Sequence, residues 1–114
     1  MINLYTKERD FVPYTIVDNT VVLRINIREK NGIVFYSELK TKIVNKNVLI
    51  DTLITANYPS DKMDAIRNNY DLVRDGSAGD KTEEYTKEYL NMQAWRKKAK
   101  ELADEIINEY NKEK

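Results

Sequence analysis

A chain of 114 residues is the size of one domain and can bury a core without staples. Its 19 basic and 19 acidic side chains cancel, which argues against a general polyanion binder. It has no Cys and no His, so disulfides, Ser–His–Asp and Cys–His nucleophiles are excluded and only carboxylate-type sites remain for metals.

The opening segment, Met1-Ile2-Asn3-Leu4-Tyr5, runs into charged residues and does not read as a signal peptide. No apolar run approaches the ~20 residues of a membrane span, so an intracellular chain, or part of a particle assembled inside a cell, is expected.

The first half, residues 1–44, reads as strands. Phe11 to Val17 is one, and Pro13, with no N–H to give, places it at a sheet edge. Asp18-Asn19-Thr20 is its turn. From Val21 to Arg28 the pattern alternates, with Val21, Leu23, Ile25 and Ile27 on one face and Val22, Arg24, Asn26 and Arg28 on the other. Period two with one polar face predicts a half-buried antiparallel strand. Asn31-Gly32 is a strong hairpin signal, and Ile33 to Ile43 is the returning strand. The three runs predict a three-stranded antiparallel β-meander.

The second half, residues 47–110, reads as three α-helices. Asn47 is placed to cap a short helix over Val48 to Asn57, whose apolar residues cover most of its circumference and predict deep burial. Tyr58-Pro59 ends it. Ser60 is the expected cap of the second helix, which carries Met63, Ile66, Tyr70 and Val73 at helical spacing. Asp75 to Lys81, with Gly76 and Gly79, is the loop. Asp80, with Glu83 as capping-box partner, opens a third helix that meets no Gly or Pro before Tyr110. At 1.5 Å per residue it spans ~45 Å, more than a domain of this size is wide. The fold class is therefore α+β, a single domain over 1–114, whose last helix is long enough to overhang it and whose final four residues are expected to fray.

Two motif-like stretches fail on chemistry. Gly76-Ser77-Ala78-Gly79-Asp80-Lys81-Thr82 has the wrong glycine spacing for a phosphate loop, and an acid precedes its Lys. A calcium-loop frame from Asp71 meets Val73 and Thr82 where chelating oxygens are required. No metal site, no cofactor and no catalytic residue is expected, and an enzyme is not.

The third helix carries the candidate surfaces. Met92, Trp95, Ala99, Leu102 and Ile106 step by three and four, the spacing of packed helices, and Tyr85 and Tyr89 widen the stripe. Exposed on an overhang, Leu102, Ile106 and Ile107 would form a patch that a partner protein covers. Tyr85, Tyr89, Met92, Trp95, Leu102 and Ile106 are the expected protein interface. Arg96, Lys97, Lys98 and Lys100 form the one basic cluster and could touch phosphate. The acids that follow, giving i,i+4 pairs Lys97–Glu101 and Lys100–Asp104, read instead as a solvated face and argue against nucleic acid.

Tyr58-Pro59-Ser60-Asp61-Lys62-Met63-Asp64-Ala65-Ile66, then Asn68-Asn69-Tyr70, then Tyr89 with Met92-Gln93-Ala94-Trp95-Arg96 and Ala99-Lys100, is similar to small proteins of bacteriophages and prophages of gut bacteria. The resemblance covers roughly residues 58–107 and brings no catalytic residues. It implies a virion structural protein or assembly accessory, found in the host cytoplasm during assembly, in the virion, or both. Its expected partners are itself, as a homo-oligomer, or other virion proteins. The contrasting expectation is a small regulatory protein that binds a host protein or nucleic acid through residues 96–100.

Overall fold

The structure, a computed structural model, describes residues 2–7 and 13–112. It is an α+β fold in which strands precede three helices, the last of them long. The strands are β1 (Ile2–Lys7), β2 (Tyr14–Val17), β3 (Thr20–Lys30) and β4 (Ile33–Lys42). They form one antiparallel sheet in the order β1-β4-β3-β2. The expected meander is β2-β3-β4. To it the structure adds β1, which pairs with β4 from Ile2↔Glu38 to Lys7↔Ile33 and was not foreseen from its composition. β2 lies at the opposite edge, where Pro13 gives its carbonyl to the Arg24 N–H at 2.8 Å. The upstream part of the expected strand, residues 11 and 12, lies outside the described residues.

Asn31 and Gly32 take φ 55 and 75, the pair of positive values that a type I′ hairpin needs, and Lys30 pairs with Ile33 across them. β3 departs from the expected alternation. Its register with β4 slips between Ile25↔Ser37 and Arg28↔Phe35, so one extra residue is inserted at Asn26-Ile27. Asn26 sits there at φ 57, a conformation that asparagine tolerates better than most residues. Val21, Leu23 and Ile25 are buried as expected, but Ile27 is 52% exposed because the bulge breaks the two-residue period.

Asn45, not Asn47, caps the first helix, α1 (Lys46–Asn57): its side-chain oxygen accepts the Val48 N–H at 2.9 Å. The chain leaves the sheet extended at Asn45, whereas Asn47 is already helical. α1 buries Leu49, Leu53 and Ile54 but leaves Val48 exposed, so its burial is one-sided rather than all round. α2 (Ser60–Arg74) begins at Ser60 itself. Pro59 is the cap residue and supplies no side-chain bond; its ring-locked φ of −56 is already suited to helix entry. α2 ends in a Schellman turn, with Ser77 N–H donating to Leu72 O at 2.8 Å, Gly76 N–H to Val73 O at 3.2 Å, and Gly76 at φ 82. Asp80 lies in a single 3₁₀ turn, Gly79–Lys81, and the third helix, α3 (Thr82–Lys112), starts after it. Residues 113 and 114 lie outside the described residues, so only part of the expected frayed end is seen, and it is helical to Lys112.

α1 and the carboxyl half of α3 cover one face of the sheet. Val21, Leu23, Ile25 and Ile43 meet Leu49, Leu53 and Ile54 of α1 and Ala99, Ala103 and Ile106 of α3 in one core. Alanine at 99 and 103 lets α3 approach closely. The amino half of α3 is covered by α2, which doubles back along it. Tyr70 and Tyr89 stack there with centroids 4.0 Å apart and planes 4° from parallel. The longest dimension is 52 Å, little more than the ~46 Å length of α3 itself. Because α2 packs along it, the amino half of α3 does not project bare as expected. Among the described residues no helix is long and apolar enough to cross a membrane.

Candidate functional site

The bulge, the α1–α2 corner and the middle of α3 converge on one cleft. Its larger lobe, about 550 Å³, is lined by Asn26, Asn57, Tyr58, Lys62, Asn91, Ala94, Trp95 and Lys98. Asn26 reaches it because the bulge re-aims that residue, and Asn57 because it is the last residue of α1. The two amides hydrogen-bond reciprocally, each Nδ2 donating to the other's Oδ1 at 2.9 Å. That uses one donor and one acceptor site per residue and leaves a second of each on both. Trp95 is half-buried, and its indole N–H donates to Leu53 O at 2.9 Å, which fixes the ring plane. Lys62 Nζ lies 5.0 Å over the Tyr58 ring and 3.4 Å from Asn57 O, at the carbonyl end of α1.

A second lobe, about 320 Å³ and more apolar, shares Asn26, Trp95 and Lys98 and adds Pro13, Arg24, Ile25, Ile27 and Leu102. Among the described residues neither lobe is lined by a carboxylate, although the chain as a whole is neutral. Lys62 and Lys98 are exposed, and neither makes an ion pair among the described residues. No group of three or more acidic side chains is placed to hold a metal ion among those residues.

The residues expected at a protein interface are mostly turned inward. Met92 and Ile106 are fully buried within the chain, which corrects their assignment to its surface. Their spacing is that of packed helices, and the packed neighbours are the chain's own sheet and α1 for Ile106. Tyr89 stacks on Tyr70, Trp95 bonds α1, and Leu102 packs at the edge of the core; Tyr85 is half-buried. Of the basic cluster, Lys97, Lys98 and Lys100 are exposed, while Arg96 is half-buried with its Nε lacking a hydrogen-bond partner. The expected pairs Lys97–Glu101 and Lys100–Asp104 do not form. Asp104 instead pairs with Lys46, tying the start of α1 to α3.

The opposite face of α3 is polar apart from Leu90 and the small Ala94. Glu83, Lys87, Leu90, Ala94 and Lys97 are all exposed and step by four, three, four and three. Leu90 is 58% exposed beside a hollow of about 400 Å³ lined by Glu83, Thr86, Lys87 and Asn91. At the other end, the Tyr14 hydroxyl donates to Glu105 Oε1 at 3.4 Å and joins β2 to α3. Partial burial above all, and then the charges of Glu105 and Glu109, raise its pKa.

Asn26, Asn57 and Lys62 were missed as site residues. Asn26 falls on the polar face of the alternation, so the pattern does not mark the bulge that carries it into the cleft. No family model, curated protein or solved structure matches the chain.

Proposed function

We propose that the chain is a non-enzymatic assembly protein of the phage type, acting through contacts with a second copy of itself, and that the contact surface is the outer face of α3 around Leu90. The observation that carries this reading is the exposed stripe Glu83, Lys87, Leu90, Ala94 and Lys97 at the spacing of helix pairing. Two copies laid antiparallel about Leu90 bring Glu83 of each opposite Lys97 of the other. Each Leu90 then enters the hollow beside its partner's Leu90. Such an arrangement is isologous and closes as a two-fold dimer. The apolar seam of α3 is not needed, since it serves the chain's own core.

Sedimentation velocity from low to high micromolar concentration tests this reading. A dimer should form as concentration rises, and Leu90→Glu should remain monomeric with an unchanged melting temperature, because Leu90 contributes little to the core. A wild-type chain that stays monomeric at high micromolar concentration overturns the reading.

A second reading, a small regulatory protein that binds a host protein or nucleic acid through residues 96–100, draws on the exposure of Lys97, Lys98 and Lys100. Retention on DNA that falls with rising salt would favour it, because phosphate contacts release counterions.

A further inference from the structure

We infer that the two-lobed cleft beside the β3 bulge binds a nucleotide, with its phosphate between Lys62 and Lys98 and its base against Trp95. Three independent features place these groups together. The larger lobe is lined by two ammonium groups and by no carboxylate among the described residues, Glu88 lying in the adjoining hollow that shares Lys62, so the lobe itself presents positive charge to a phosphate. The smaller lobe is apolar, with Ile25, Ile27 and Leu102 around the half-buried Trp95, and suits a planar ring stacked on the indole. Asn26 at the junction, and Asn57 bonded to it in the larger lobe, each keep a free amide donor and acceptor, the complementary pair that reads a base edge.

The cleft is also rigid where recognition needs it. The indole is held by Leu53 O, and Asn26 is held by the bulge and by Asn57. The bulge moves Ile27 out of the core and into the lining of the apolar lobe, which accounts for its exposure. The volumes, about 550 and 320 Å³, fall in the range of small-molecule sites. None of this depends on self-association, since of the Leu90 stripe Ala94 alone borders the cleft.

Trp95 is the single tryptophan, so its fluorescence reports occupancy directly. The full-length chain is titrated with AMP, with adenosine, with inorganic phosphate and with a short single-stranded DNA oligonucleotide. Saturable quenching by AMP is expected, stronger than by adenosine or phosphate alone. Lys62→Ala and Lys98→Ala should each weaken AMP binding about tenfold, the effect of one lost charge-assisted contact. The melting temperature should be unchanged in Lys98→Ala and only slightly lower in Lys62→Ala, whose exposed side chain also contacts Tyr58 and Asn57 O. An oligonucleotide that binds more tightly than AMP, with affinity falling in salt, identifies the natural ligand as a strand. AMP binding at least as tightly identifies it as a free nucleotide. No quenching by AMP or the oligonucleotide at millimolar concentration overturns the inference. So does AMP affinity unaffected in both lysine variants, or phosphate binding as tightly as AMP.

Discussion

Ile106 decides whether the apolar seam of α3 belongs to the chain or to a partner. It is 0% exposed and packs in the same core as Val21, Leu23, Leu49 and Ala103. Ile106→Ala removes the three outer carbons of the side chain. At ~0.8 kcal/mol per buried carbon group the transfer loss is ~2.4 kcal/mol. The cavity left behind raises the total to about 3–4 kcal/mol, within the span of measured large-to-small changes. Against a total stability of roughly 5–15 kcal/mol this is a large fraction, and it corresponds to a melting temperature lower by about 12–20 °C. Urea unfolding followed by Trp95 fluorescence measures it, at two protein concentrations so that association is separated from folding. Leu90→Ala serves as the control: at 58% exposure it should stay within ~0.5 kcal/mol of wild type. An Ile106→Ala loss under ~1 kcal/mol, or one that appears only as a shift in association, would refute the assignment of this seam to the chain's own core.

Three further outcomes follow from local geometry. Asn45→Ala should destabilise by ~1 kcal/mol in chemical denaturation through loss of the α1 cap, and Asn47→Ala should not. Gly76→Ala should cost ~1 kcal/mol purely through its φ of 82, since an added Cβ meets nothing within 4 Å; an unchanged midpoint would count against the Schellman turn. Tyr14 has a folded-state pKa above its usual ~10, so its contribution is full below pH ~10 and is lost as pH rises through the folded value. Tyr14→Phe should therefore show a flatter alkaline limb in a stability–pH profile than wild type.

Long regular patterns were legible in the sequence. The alternation from Val21 to Ile25, the Asn31-Gly32 hairpin and the helical spacing after Pro59 all state a period that burial then enforces. What escaped was set by single residues or by tertiary packing. Asn26 breaks the period of β3 through one left-handed backbone conformation, which composition alone does not signal. β1 is a strand by virtue of its pairing with β4, a non-local fact. The α3 seam reads as an interface in the sequence because spacing gives the periodicity of packing and not the identity of the packed neighbour. The cleft assembles Asn26, Asn57, Lys62 and Lys98 from four elements, and no spacing along the chain connects them.

The register of the proposed dimer is tested most directly by a charge-swap cycle read in the analytical ultracentrifuge. Glu83 and Lys97 lie on either side of Leu90, seven residues away in each direction, and both are exposed. Glu83→Lys and Lys97→Glu should each weaken dimerisation, since each sets like charges against each other across the two-fold axis. The double variant restores opposite charges and should recover the wild-type association constant at low salt. Single variants that associate as wild type does, or a double variant no better than either single, would contradict the antiparallel pairing about Leu90.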